Sequence, residues 1–386
     1  MRDVLRKVDI PLFILTTILL VFGLLMVFSA SSVAAVLQYK VSEYYFFTRQ
    51  AEVVGVGMLL SLLIYKIPIS KYKKLSHFLM VGVIAVLIML KSYGTITNSA
   101  KSWLNVFGLF TLQPSEFAKS ICILYLAFKY GTKKVYKGNS DVFMPLAACA
   151  VIVALVVLEP DLGTASIIIS ISALIFFSLP FPNNKLMFYT KALTLFALVF
   201  GVFILANSSS FLTETQANRF TFLKPCDRYK EDTGYQVCNG YIAINNGGIF
   251  GLGLGKSTQK YLYLPEGHTD FIFPIIVEET GLIGGIFIII IYILLLFRIL
   301  TIARNTSDLP SSIIAFGTFA YLLLHMIVNL GGILALIPLT GVPLPFLSYG
   351  GSYMLNVMIM VALCQRIAIE TKQKKYRSDF RKIMGG

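Results

Sequence analysis

Long apolar runs separated by short polar clusters dominate this chain. Runs of about 20 apolar residues mark membrane-spanning helices, because only helices and closed barrels satisfy the backbone in lipid. They predict helices at about 11–31, 50–66, 76–92, 113–130, 142–158, 163–180, 186–206, 274–297, 310–336 and 352–368. The expected architecture is an all-α integral membrane protein, a single polytopic domain over 1–386 with about ten transmembrane helices. The first run is too long for a removable signal peptide and lacks a small-residue cleavage site, so it is expected to remain as the first span. One polar stretch is long, 207–273, and is predicted to form a large loop between the seventh and eighth helices.

Charge sets the orientation. The chain is 56% hydrophobic and only 13% charged, where a soluble domain carries about 25%. The net charge of +14 does not point to nucleic acid. Its lysines and arginines gather in MRDVLRK, in KYKK at 71–74, in KYGTKKVYK at 129–137 and in the tail 369–386. In a ten-span arrangement these clusters share one side, as the positive-inside rule requires. Both termini are therefore expected in the cytoplasm, and the 207–273 loop outside.

Some polar residues sit where lipid should exclude them, at about 2.5–3.5 kcal/mol each. The fourth helix opens with QPSEFAK, so Gln113, Ser115, Glu116 and Lys119 lie in its first turns. Glu116 and Ser115 are three and four positions from Lys119 and share its face. The fifth helix ends at Glu159 and Asp161. Two readings of Lys119 stand together: an ion pair with Asp161 that fastens the fourth helix to the fifth, and contact with an anionic group such as a phosphate. The outer segment adds Arg219, Gln236 and a glycine-rich string, NNGGIFGLGLGKSTQK, at 245–260. That string lacks the Walker spacing. It is expected to lie flat on the membrane, with Lys256 and Lys260 near lipid headgroups and Tyr261 and Tyr263 in an interfacial belt.

LPEGHTDFIF at 264–273 carries Glu266, His268 and Asp270 just before Pro274, the expected start of a helix. Acidic residues there commonly serve the helix dipole. The functional reading is a carboxylate at the water–lipid boundary, its basicity raised by partial burial. His77, His268 and His325 are far apart, and no cysteine–histidine spacing suggests zinc. Cys122, Cys149 and Cys364 fall in apolar helices and read as packing residues. Cys226 and Cys238 both lie in the outer segment, where an oxidising compartment could join them.

Several strings coincide with one family. QPSEFAK at 113–119, EPDLGTA at 159–165, GYQ at 234–236, GLGLGKSTQKYLYLPEGHTDFIF at 251–273, EETG at 278–281 and PLPFLSYGGS at 343–352 occur in order along the chain. The chain resembles the SEDS family of bacterial shape, elongation, division and sporulation proteins, represented by FtsW, RodA and SpoVE. GYQ and LGKSTQKYLYLPE look closer to FtsW, while PLTGVPLPF is as close to RodA. One departure is CDRYKEDTGYQVCN at 226–239, where the family more often has a tryptophan-containing stretch without cysteines.

The resemblance implies a peptidoglycan glycosyltransferase that polymerises lipid II on the outer face of the bacterial cytoplasmic (inner) membrane. Its implied partners are a class B penicillin-binding protein and other divisome or elongasome membrane proteins. By motif match Asp270 corresponds to the family's essential acidic residue, and Lys119 and Asp161 to other important polar positions. Gln113, Ser115, Glu116, Arg219, Gln236, Lys260, His268 and Ser348 complete the candidates for substrate contact. The chemistry agrees: a sugar hydroxyl attacking an anomeric carbon needs one positioned base. The departing diphosphate needs positive charge, which Lys119, Arg219, Lys256 or a divalent cation, Mg2+ or Mn2+, could supply. Two other classes remain open on sequence: a lipid flippase, and a non-enzymatic scaffold for the penicillin-binding protein. Against the first, the polar residues crowd towards the outer face. Against the second, a scaffold has no need of Lys119 and Asp161.

Overall fold

The computed structural model describes residues 7–93, 95–97, 100–106, 110–132, 139–159, 161–179, 188, 224–228 and 232–383. Arg219 and, apart from position 188, the helix expected at 186–206 fall outside these residues. The described chain contains ten α-helices. They are α1 (Ile10–Leu37), α2 (Tyr45–Ile64), α3 (Tyr72–Tyr93), α4 (Pro114–Gly131), α5 (Asn139–Leu158), α6 (Leu162–Ser178), α7 (Asp232–Gly247), α8 (Ile272–Asn305), α9 (Leu309–Ile333) and α10 (Gly351–Ile383). Seven helical segments are long and apolar enough to cross a membrane, those of α1, α2, α3, α5, α8, α9 and α10. α6, at 17 residues, is apolar but shorter. α4 carries Glu116, Lys119 and Lys129.

The structure corrects the sequence reading in four places. A small antiparallel sheet, β1 (Thr95–Thr97), β2 (Ala100–Val106) and β3 (Phe110–Leu112), fills the connection between α3 and α4, so the fold is not purely α. The stretch 207–273 is not simply a loop, because α7 lies within it and packs on α8. α8 begins at Ile272, two residues before Pro274. α10 runs on through the basic tail to Ile383.

Capping follows ordinary helix chemistry. Asp9 accepts from the N–H of Leu12 at the start of α1 (3.2 Å) and also binds Arg298 of α8 (2.8 Å from Nε). Asp308 caps α9 and Asp161 caps α6. α1 passes close to the loop before α10: a Cβ on Gly23 would collide with the backbone of Phe346 and Leu347. Within α8, Gly281 leaves helical geometry at φ 73°. The carbonyls that this break would orphan are met by the glycine-rich loop, with the N–H of Leu252 donating to Glu278 (2.9 Å) and that of Gly253 to Glu279 (3.0 Å). The glycine string thus mends a broken helix.

Candidate active site

Four helix starts and two loops enclose a cavity of about 900 Å3. The starts of α2, α4, α6 and α10 bring Arg49 and Glu52, Gln113 and Glu116, Asp161 and Thr164, and Ser352 and Tyr353 respectively. The N–H of Gln113 donates to Ser352 Oγ (2.9 Å) and joins the starts of α4 and α10. The loops supply Glu266 to Asp270 on one wall and Leu339 to Pro343 on the other, and α7 contributes Gln236. Among the described charged residues of this lining, Arg49 stands against five carboxylates: Glu52, Glu116, Asp161, Glu266 and Asp270.

Asp270 is poorly provided for. Its Oδ1 faces the Thr269 hydroxyl at 3.2 Å, but that hydroxyl is closer to Glu266 Oε2, at 2.6 Å. One O–H carries one proton, so Thr269 is at best a shared donor to Asp270. No cation pairs with it among the described residues. Burial, and after it the negative charge of Glu266, push its carboxyl up to about 7, against the Thr269 hydroxyl and a backbone N–H. The group still opens on the cavity. Such a carboxylate can take a proton near neutral pH.

His268, two residues earlier, is buried among rings: Phe46 at 4.7 Å, Tyr349 at 5.8 Å and Tyr39 at 6.4 Å between centroids. Burial lowers its pKa, opposed by Glu266. Its carbonyl accepts from the N–H of Tyr349 (2.9 Å).

Lys119 does not pair with Asp161. Its Nζ donates to Glu116 Oε1 (2.8 Å) and lies 3.1 Å from His325 Nε2; all three are buried, and of them only Glu116 reaches the cavity lining. The other ring nitrogen of His325 faces the Pro343 carbonyl (3.3 Å). That carbonyl needs a donor, so Nδ1 carries the proton and Nε2 accepts from the lysine. Asp161 accepts from the N–H of Thr164 (2.9 Å) and from Gln113 Nε2 (3.2 Å) instead. A cap on its own helix and an i,i+3 partner for the lysine win because both are local.

Of the residues read from sequence, Gln113, Glu116, Asp161, Gln236, His268 and Asp270 line the cavity together. Ser115 is buried in α4, its hydroxyl without a hydrogen-bond partner among the described residues. Lys260 is not exposed, as a contact with lipid headgroups would require, and is not in the cavity lining. It is buried and pairs with Glu279 (3.3 Å), close to Ser29 Oγ (3.4 Å). Ser348 is buried too, its Oγ accepting from the N–H of Leu344 (2.8 Å). Cys226 and Cys238 are joined, which ties the segment Pro225–Arg228 to α7 two residues beyond Gln236. Arg219 lies outside the described residues. Sequence reasoning did not single out Glu266 as a partner of Asp270, nor Thr269, Asn329 or Gly341. Asn329 carried a signal, since an amide in an apolar helix needs a buried partner.

Glu266 and Asp270 present hard oxygen donors on one wall. No group of three His, Cys, Asp or Glu able to hold a metal occurs among the described residues. A divalent cation there would take part of its shell from other oxygens, as magnesium and manganese accept.

Residues 10–373 match the family model described as cell cycle protein, which covers FtsW, RodA and SpoVE. A Bacillus subtilis protein named "Probable peptidoglycan glycosyltransferase FtsW" is 37% identical over 391 residues, 97% of this chain and 95% of that protein. Stage V sporulation protein E of the same organism is 34% identical, over 93% of this chain and 96% of its own length. Among solved structures, a chain of a peptidoglycan synthase complex superposes with a TM-score of 0.75 at 24% identity, over 95% of this chain and 99% of that one. Thermus thermophilus RodA superposes at 0.67 with 24% identity, over 94% and 96%. These two likenesses concern the fold.

Proposed function

The chain belongs to the FtsW, RodA and SpoVE family of cell cycle proteins, and from that premise we infer that it is a peptidoglycan glycosyltransferase acting on lipid II. It is a multi-pass membrane protein. On this reading it polymerises the lipid-linked disaccharide at the outer face of the cytoplasmic membrane, with both termini inside, as an FtsW-like enzyme of cell division. Its partner is a class B penicillin-binding protein, which cross-links the glycan product.

The observation that carries the reading is Asp270, a cavity carboxylate with no cation beside it among the described residues, whose pKa is raised to about 7. In the proposed step Asp270 takes the proton from the acceptor sugar hydroxyl. The hydroxyl oxygen forms a bond to the donor's anomeric carbon. The bond from that carbon to the diphosphate breaks, and its electron pair leaves with undecaprenyl diphosphate. A good leaving group of this kind needs no general acid, so one carboxylate suffices, unlike the pair in a glycosidase. Glu116, Asp161, Gln113 and Gln236 supply acceptors and amides for sugar groups around the same space. Lys119 acts from behind, by orienting Glu116 and His325.

The excess of carboxylates over Arg49 makes this wall a poor host for a bare diphosphate. Bound Mg2+ or Mn2+, held by Asp270 and Glu266, would supply the positive charge that the leaving group needs.

The test is polymer formation from lipid II by purified protein with its penicillin-binding partner, moenomycin being present to silence unrelated polymerases. Asp270→Asn keeps size and polarity and removes the base. Its rate should fall by about 10²–10⁴-fold. A near-wild-type rate would sink the assignment, and absence of polymerisation by the wild type itself would return the lead to lipid transport or scaffolding.

A further inference from the structure

The wall opposite Asp270 is mechanically tied to it. α9 is largely apolar, yet it carries Asn329, which is 3% exposed. Its Nδ2 donates to the carbonyl of Asp270 (2.7 Å) and to that of Val342 (2.8 Å). Both partners are acceptors, so only the amide's NH2 end can serve them. Asn329 therefore couples the main chain of Asp270 to the loop 339–343. In that loop Gly341 holds φ +67°, and a Cβ there would stand 3.5 Å from Asp270 Oδ2. His325, one turn earlier on α9, supports the same loop through the Pro343 carbonyl.

We propose that Asn329 is a positioning residue for the polymerisation step. It sets the gap between the Asp270 carboxylate and Gly341, and with it the slot that the acceptor hydroxyl must enter. The proposal rests on the reading of Asp270 as the base. A proton acceptor works only when its oxygen lies within hydrogen-bond reach of the attacking hydroxyl. Removal of the amide leaves two buried carbonyls without a donor. The loop then moves away from Asp270 and admits water. Binding of the lipid and the distal sugar, made elsewhere in the cavity, is retained.

Asn329→Ala and Asn329→Asp, purified with the penicillin-binding partner, are assayed with lipid II for kcat, KM and the pH midpoint of kcat/KM. We expect kcat to fall about 10²-fold, as for a displacement near 1 Å, while KM stays within about threefold. The pH midpoint should drop below that of the wild type as water reaches Asp270. Asn329→Asp, which sets a third acceptor against two carbonyls, should fall at least as far. Gly341→Ala approaches the same slot from the other side, with Asn329 intact, and should also lower kcat. Wild-type kcat and midpoint in Asn329→Ala would overturn the proposal. So would a loss of rate that only tracks the folded fraction, or failure of all three variants to fold, either of which makes Asn329 a packing residue. Asp270→Asn is run in parallel. If it still polymerises, the reading of the base is what has failed; if it is dead while Asn329→Ala is normal, only the positioning role has.

Discussion

Two groups of carboxylates lie within ten residues of each other around the start of α8, and the chain treats them in opposite ways. Glu278 and Glu279 are fully buried. Glu278 accepts from Ser257 Oγ, from Thr258 Oγ1 (2.7 Å), from Asn246 Nδ2 (3.1 Å) and from the N–H of Gln259 (3.2 Å). Glu279 receives Ser29 Oγ (2.6 Å) and Lys260 Nζ (3.3 Å). Asp270 has a fraction of one threonine hydroxyl, a backbone N–H and a carboxylate neighbour. Buried charge is normally matched by donors or cations. The saturated pair is spent on holding the glycine-rich loop to the broken helix. The unsaturated group keeps lone pairs free for a proton or a cation, and it faces a cavity.

The sharpest way to break this comparison is to neutralise each group in turn. Asp270→Asn should abolish most polymerisation, by the factor given above, yet leave the fold intact. The sign of the linkage is favourable to the mutant. A carboxyl whose folded pKa is raised contributes stability below its unfolded value of 3.8, and that contribution is lost as pH rises through about 7. Above that pH the wild type therefore carries a penalty that asparagine removes, and thermal unfolding in detergent should show Asp270→Asn at least as stable. Lys260→Met should do the reverse. It strands buried Glu279, at a cost of about 3–5 kcal/mol. The matched change Lys260→Met with Glu279→Leu should recover much of that loss. A Lys260→Met protein as stable as the wild type would show that the staple is not electrostatic.

A smaller effect should separate the groups by pH. Only the base form of Asp270 acts, so log kcat/KM should rise with unit slope below about pH 7 and level off above it. A cation on Asp270 would favour its charged form and move the midpoint down. Saturating Mg2+ or Mn2+ should therefore lower the midpoint of the wild type, and a profile flat from pH 5 to 9 at every cation level would contradict the assignment.

What the sequence disclosed, and what it hid, follows the range of the interactions. Seven of the expected spans were legible because each is a local run of apolar residues, and Asp270 stood out in a polar string before such a run. Glu116 and Lys119 were visible as neighbours on one helical face. The third member, His325, is 206 positions from Lys119 and no local pattern pairs them. Lys260 was misread because exposure was inferred from its glycine-rich surroundings, whereas its partner Glu279 lies on the helix that those glycines approach. α7 escaped notice because its mixed polar sequence, DTGYQVCNGYIAINNG, finds its buried contacts in distant partners, above all α8, and not in a local apolar run. The bond of Asn329 to Asp270 spans 59 positions and involves a carbonyl, which a sequence cannot point to.

The mildest change tests whether the free carboxylate or its neighbour is the base. His268 lies in the same cavity and is the other group that could accept a proton near neutral pH. Its surroundings argue for a different task. The ring is boxed by Phe46, Tyr349 and Tyr39, and burial keeps its pKa below the ordinary value, so it is a weaker acceptor than Asp270. Its carbonyl, through Tyr349, pins the loop in place whatever the side chain. His268→Gln keeps a polar group but loses ring contacts worth about 0.5–1.5 kcal/mol apiece. Polymerisation should fall by less than about tenfold, and the pH midpoint should stay where Asp270 sets it. A midpoint that vanishes in His268→Gln, together with a functional Asp270→Asn, would transfer the proton to the imidazole. It would also reverse the comparison: the packed residue would then be the reactive one, and the half-buried carboxylate a cation ligand alone.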